Sequence, residues 1–357
     1  LVKHKSDIKT FNIGFEFSNY DESDNANKVA RLFNTNHHNY LCTKNEALKI
    51  IPSINFAFSE PFADSSQIPT MLVSKIASQK VKVILGGDGG DEIFGGYNRY
   101  LLAQKYWKIF KFFPYPLNKI FELHKLIPKK FLFLFFDRFL NLDNISKNKF
   151  SSYEKILKKL NNITNKKSFY ENLTMEWIDD KILNYSIKES ENKYYEYSEF
   201  DLTFEEWMMV NDFNTYMPDD ILCKVDRSSM FYSLENRSPL LNKSLIEYMF
   251  KLPLKYKIKQ GTTKWLPKKI LSKYLPKDYI YKPKQGFGVP LAEWFRGDLK
   301  SYVFDNLSKE VCDQHLLFNI TEINKTLKDH FQNNINSEYK LWSLIQFNLW
   351  YKKTYNK

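Results

Sequence analysis

Asp88 and Asp91 lie three residues apart in the run VKVILGGDGGDEIFGGY at 81–97, with glycines on both sides. The apolar β-branched stretch 81–85 reads as a buried strand. The glycines after it leave backbone N–H groups free to approach an anion. The spacing puts both acids where the strand gives way to a helix, beyond the carboxyl end of the strand. Open α/β sheets bind their ligands in that crevice. Glycine-rich backbone with two carboxylates suits a magnesium-bound nucleotide; a plain Gly/Asp turn is the bland alternative.

Two further segments carry chemistry. In YMPDDILCKVDRSSM at 216–230, Pro218 and the acids after it mark a helix start. At helical spacing Asp220, Lys224 and Arg227 share one stripe, and Cys223, Asp226 and Met230 share the next. Asp226, beside Val225 and the small Ser228 and Ser229, reads as turned inward. A surface i,i+4 pair explains the same spacing, and spacing alone leaves both open. In YKPKQGFGVP at 281–290, Lys282 and Lys284 bracket a proline ahead of glycines. Such a loop can press an ammonium against a polyphosphate and stabilise charge on a leaving group, or it is simply a basic surface loop. Asp64, Ser65 and Ser66, in EPFADSSQIP at 60–69, put an acid and hydroxyls at a helix start, which capping would also explain. His37 and His38 have no third ligand at a recognisable spacing and read as a structural pair at a strand edge.

The elements that must position these residues alternate over the first hundred positions. Strands are expected at 8–17, 37–41 and 81–85. Helices are expected at 22–33, at 44–51 ended by Pro52, and at 65–79 with Asp64 or Ser65 as N-cap. Strands separated by helices predict an α/β fold, a doubly wound parallel sheet. Beyond Tyr97 the pattern becomes helical, with helices expected at 204–214, 218–234 and 338–351. The organisation expected is an α/β core over 1–100, a basic helical insertion or variable subdomain over 101–200, and a helical remainder over 201–357.

Hydrophobic residues make up 43% and charged residues 26% of the 357, an ordinary globular profile. The longest uniformly apolar run, 131–136, is far short of a membrane span, so no transmembrane segment is expected. No secretory signal is visible. Cys42, Cys223 and Cys312 are widely spaced and suggest a reducing cytoplasm, not a disulfide framework. Residues 101–170 hold 15 Lys/Arg against 4 Asp/Glu, so nearly all of the net charge of +12 lies there. Lysines alternating with apolar residues read as solvated faces of amphipathic helices, which argues against a nucleic-acid partner. The 23 tyrosines and 30 phenylalanines are spread through helical patterns and read as core.

Together and in this order, several segments resemble the synthetase half of glutamine-dependent asparagine synthetases. They are TFNIGF at 10–15, YDE at 20–22, HH at 37–38, EPFADSSQIP at 60–69, GDGGDE at 87–92, FGGY at 94–97, VDR at 225–227, ENRSPLL at 235–241 and KPKQGFGVPL at 282–291. The resemblance implies an ATP pyrophosphatase-type α/β fold and a two-step reaction. ATP adenylates an aspartate side chain with loss of pyrophosphate, and ammonia derived from glutamine then displaces AMP. By motif, Ile13 and Gly14 would hold adenine through the backbone, and Gly86 and Gly87 would line the nucleotide and acyl site. Asp88 would act in forming and using the acyl-adenylate. Asp91 would hold Mg2+, and Lys284 would neutralise the phosphates. Asp64, Ser65 and Asp226 would serve the substrate end. The implied partners are aspartate, ATP and ammonia, and a homodimer is compatible with the family.

Two departures qualify this resemblance. Gly86 stands where the family usually has serine, so a hydroxyl contact is expected to be lost. A Ser-Gly-Gly-x-Asp-Ser pyrophosphate loop and a glutaminase domain with its cysteine nucleophile are not found in the sequence, which opens with Leu1 in place of an initiator methionine. The expectation is a synthetase fragment lacking one strand, the phosphate cradle and one magnesium carboxylate, and inactive alone. The alternatives are a relative that amidates another carboxylate, such as a sugar acid or a peptide carboxyl, and a catalytically dead remnant kept as a binding protein.

Overall fold

A computed structural model of the chain describes residues 7–112, 163, 165–177, 180–185, 201–281 and 288–355. Most of the basic segment 101–170 lies outside those residues, as do 282–287. The chain starts with strand β1 (Lys9–Phe15), helix α1 (Ser23–Leu32) and strand β2 (Asn36–Cys42), and the two strands pair in parallel from Lys9↔Asn36 to Phe15↔Cys42. A parallel pair needs a crossover, and α1 supplies it. Polar side chains on one face tie the pair together. Thr10 Oγ1 lies 2.9 Å from His37 Nδ1, and Asn12 Nδ2 donates to Asn39 Oδ1 at 2.8 Å. The histidines are therefore part of the strand pairing.

Helix α2 (Lys44–Ala57) opens on Thr43, whose hydroxyl accepts from the Glu46 N–H, and it runs through Pro52. Proline there removes one ladder bond. Burial of Ile50, Ile51 and Ile54 in the core offsets that loss and carries the helix on to Ala57. Helix α3 (Gln67–Ser78) follows and leads to strand β3 (Val83–Leu85). After β3 come helices α4 (Gly90–Phe94) and α5 (Asn98–Phe112), then α6 (Lys166–Thr174) and α7 (Phe204–Asn214). Helix α7 begins on a reciprocal cap, in which the Thr203 hydroxyl accepts from Glu206 N–H and the Glu206 carboxylate accepts from Thr203 N–H. Past α7, Pro218 has no N–H to continue the ladder. The turn widens to a π-helix over Met217–Leu222 and then tightens into α8 (Cys223–Met230).

Strand β4 (Glu235–Arg237) returns to pair in parallel with β3, Val83↔Glu235 to Leu85↔Arg237. Among the described residues the four strands form two separate parallel pairs, not the single doubly wound sheet expected. The pairs approach at their starts, where Lys9 Nζ donates to the Lys80 carbonyl at 3.3 Å. Among the described residues one face of β3–β4 is uncovered: Val83, Leu85, Glu235 and Arg237 are all exposed.

One hydrophobic core joins Ile13, Ile54, Met71 and Leu72 to Trp294, Phe295, Leu341 and Trp342 from the helices Leu291–Arg296 and Glu338–Tyr355. Each such side chain withdrawn from water contributes roughly 1.5–3 kcal/mol. A second cluster packs Tyr100, Phe169, Tyr170, Phe204 and Met208. Beside it a buried polar knot joins α5, α6 and α7. Asp212, fully buried, accepts from Arg99 Nε at 3.0 Å, from the Tyr100 hydroxyl at 2.5 Å and from the Tyr170 hydroxyl. The Arg99 guanidinium stacks over Tyr97 at 3.9 Å and faces Tyr216 at 5.0 Å. Among the described residues no helix is long and apolar enough to cross a membrane.

Candidate active site

The exit of β3 turns on glycines because the chain passes too close to its neighbours for side chains. Gly89 has φ +82°, and a Cβ there would stand 2.1 Å from Leu241 Cδ2. Gly87, by contrast, has nothing among the described residues within 4 Å of where its Cβ would be, so on their account this side of the turn is open. Asp88 and Asp91 flank the corner with different partners. Asp88 Oδ2 accepts from Ser238 Oγ at 3.0 Å and Asn236 Nδ2 at 3.3 Å, both from the β4 side. Asp91 pairs with Lys264 Nζ at 3.1 Å. Lys264 reaches it from the head of the helix Trp265–Leu271 in a left-handed conformation, φ +51°. Glu92 is buried beneath the corner and accepts from the Tyr97 hydroxyl at 2.6 Å. Burial raises its pKa.

The end of β1 is equally tight. A Cβ on Gly14 would meet Ser23 Oγ at 2.2 Å and Asp21 Oδ1 at 2.8 Å, and Ile13 is buried at the same end. Asp21 organises this exit by accepting from the Ser23 N–H at 3.0 Å and its hydroxyl at 2.6 Å.

Asp64 does not cap α3 with a bond to the helix proper. Its carboxylate accepts from the Ser66 N–H at 2.9 Å and from the Ser66 hydroxyl, and it pairs with Lys224 of α8. Lys224 also lies 3.7 Å from Asp220, on the π-helix. Ser65 is buried next to this group. Burial works against ionising Asp64, but Lys224 holds its carboxyl below the usual range. Asp220 moves the other way, pushed up to about 7 by burial and by the neighbouring Asp64 charge. Two acids thus share one lysine, and one of them can hold a proton near neutral pH.

Asp226 is not part of this group. Its side chain is 60% exposed and lies 3.5 Å from Arg227, contrary to the inward orientation expected from its neighbours. Lys224, Ser228 and Ser229 are the buried residues of α8. Positions 224 and 228 share a stripe, and 226 lies about 200° away from 224 around the helix. Lys284, expected to face the phosphates, lies outside the described residues. Lys224, Asp220, Lys264, Asn236 and Ser238 were not singled out as site residues by sequence. The i,i+4 spacing of 220 and 224 signals the first pair, and Asn236 and Ser238 fall within ENRSPLL at 235–241, one of the segments that carry the resemblance. Charge also concentrates beyond the segment noted first, since residues 251–281 carry nine lysines and one acid, Asp278. Burial and Lys264 nearby together push Lys268 below its usual range.

Asp91 is a hard oxygen donor of the kind Mg2+ takes, and its Oδ1 is buried beside Lys264. Among the described residues no three His, Cys, Asp or Glu side chains gather to hold a metal. An ion on Asp91 would draw its remaining ligands from phosphate oxygens and water, the usual arrangement for Mg2+. As a hard oxygen donor, Asp91 fits such an ion.

The family model described as asparagine synthase matches residues 1–352. The chain is 28% identical over 347 residues to the glutamine-hydrolyzing asparagine synthetase 1 of Bacillus subtilis (strain 168), covering 96% of this chain and 52% of that protein. It is 33% identical over 93 residues to the glutamine-hydrolyzing asparagine synthetase 1 of Saccharomyces cerevisiae (strain ATCC 204508 / S288c), covering 25% and 16% respectively. The chain spans about half the length of the Bacillus relative.

Proposed function

The chain belongs to the asparagine synthase family, and on that premise we propose that it performs the ATP-dependent conversion of the aspartate side-chain carboxylate into an amide. A carboxylate is a poor electrophile. In the proposed first step its oxygen attacks the α-phosphorus of ATP and pyrophosphate leaves. In the second, ammonia attacks the acyl carbon of the β-aspartyl-AMP, AMP departs with the bonding pair, and the nitrogen loses a proton. The nitrogen would come from glutamine, through a domain outside these residues.

The observation that carries this reading is the corner at 86–91, with its open side at Gly87, Asp88 toward β4 and Asp91 beside Lys264. Mg2+, held by Asp91, would neutralise the pyrophosphate. Lys284 would add positive charge there, and Ile13 and Gly14 would meet the adenine. Asp88 would face the acyl carbon. Asp64 and Asp220 would face the acceptor's ammonium, with Lys224 keeping the pair from repelling. Ser65 lines the same end. We further propose that β1–β2 and β3–β4 belong to one doubly wound sheet of the ATP pyrophosphatase type. The matching parallel sense within each pair and the Lys9 contact with the Lys80 carbonyl between them support it. A Ser-Gly-Gly-x-Asp-Ser loop is not among the 357 residues, so turnover is proposed for the full natural protein and not for these residues alone.

ATP–pyrophosphate exchange by the full protein tests the reading. Exchange that requires aspartate is expected. Exchange supported by a different carboxylate would keep the chemistry and replace the acceptor, and no exchange with any carboxylate would refute the proposal.

A further inference from the structure

Gly86 is a glycine for want of space, not for want of backbone freedom. Its N–H donates to the Arg237 carbonyl at 2.9 Å, continuing the β3–β4 ladder, and its φ is not in the left-handed range. A Cβ there would stand 2.5 Å from Asp88 Oδ2, 3.1 Å from Asn236 Oδ1 and 3.3 Å from Asn236 Nδ2. The volume a side chain at 86 would need is occupied by the Asp88 carboxylate folded back over the strand end, and by the Asn236 carboxamide. Ser238 completes the group, its hydroxyl 3.0 Å from Asp88 Oδ2 and 3.4 Å from Asn236 Nδ2. Asn236 and Ser238 are two apart and project on the face of β4 opposite the exposed Glu235 and Arg237.

We propose that Asn236 and Ser238 are positioning residues that hold the Asp88 carboxylate over Gly86, and that these four positions work as one coupled set. A serine at 86 and the present orientation of Asp88 exclude each other. The inference rests on the amide-forming reading, because Asp88 matters only if it acts on the acyl group.

The test uses acceptor-dependent ATP–pyrophosphate exchange in the full protein. Ser238→Ala and Asn236→Ala each remove one hydrogen bond to a charged group and are expected to lower kcat about tenfold with KM for ATP unchanged. Ser238→Thr keeps the hydroxyl and should recover most of the rate, which a purely structural role would not require. Gly86→Ser should be severe alone and markedly milder combined with Asn236→Ala, since the smaller residue vacates the contested space. Wild-type kcat in both alanine variants, no advantage of threonine over alanine, or strictly additive effects at 86 and 236 would each overturn the inference. Exchange in the wild type with unchanged variants removes this inference alone. Absence of exchange in the wild type removes the parent reading, and this one with it.

Discussion

Replacing Lys224 with methionine isolates the electrostatics of the acceptor end. Methionine keeps most of the apolar stem and deletes the charge. The ammonium touches the Asp64 carboxylate and lies 3.7 Å from Asp220, and Lys224 itself is only 9% exposed. At an effective dielectric of about 20, a unit pair at that separation is worth roughly 4.5 kcal/mol. The lysine gives up hydration to be there, which offsets part of this. Removing it should therefore cost about 3 kcal/mol at pH 8, where Asp64 and Asp220 are left facing each other. The loss must depend on pH in a definite direction. Folded Asp220, pushed up to about 7, binds a proton more tightly than it does in the unfolded chain. Its contribution is therefore favourable at low pH and is lost as pH rises towards 7, with no further change above. In the variant the unneutralised pair takes up that proton at pH 5, so the deficit there should be clearly smaller. Asp220→Asn added to Lys224→Met should restore much of the stability at pH 8 and little at pH 5. Urea unfolding of wild type, single and double variants at both pH values measures all of this. A loss below about 1 kcal/mol at pH 8, or an equal loss at the two pH values, would refute the shared-lysine account.

Two other perturbations follow from the geometry. Gly89→Ala forces a side chain into a left-handed conformation and against Leu241, so a loss of about 2 kcal/mol is expected in urea unfolding. Leu241→Ala in the same chain should cost less than the sum of the two changes, and simple additivity would show that the clash is relieved elsewhere. Asp212→Asn leaves the Arg99 guanidinium buried without its counter-charge and should cost about 3 kcal/mol. Unfolding of the variant within 1 kcal/mol of wild type would contradict that assignment.

Much of the first hundred residues is legible from periodicity. β1, α1, β2 and α3 lie within two residues or so of their expected limits, because alternating and 3.6-residue patterns there coincide with burial. Two features escape that logic. β4 is three residues, Glu235–Arg237, and none of them is apolar, so no alternation announces it. Its place is set by pairing with β3, a contact across some 150 positions. The inward face of α8 also escapes. The small, apolar neighbours of Asp226 suggested burial, but the stripe that faces α3 is the one holding Lys224 and Ser228, and its lysine is tolerated inside because Asp64 waits there. In the candidate site, Asp88, Asp91 and the glycines were readable from composition and spacing. Their partners Asn236, Ser238 and Lys264 were not, since each arrives from a distant element.

The π-helix at Met217–Leu222 has a consequence for how this region tolerates change in length. A π turn carries about one residue more than an α turn, and each residue advances an α-helix by about 100°. The wide turn thus sets the phase of everything after it. A one-residue deletion that left the turn wide would rotate Lys224 by about 100° away from Asp64 and bring a different stripe inward, whereas one that closed it to an α turn would keep the phase. The segment can absorb substitutions that respect its surface, but its residue count is a mechanical setting, and an insertion or deletion here would act on the acceptor end by displacing Asp220 and re-aiming Lys224.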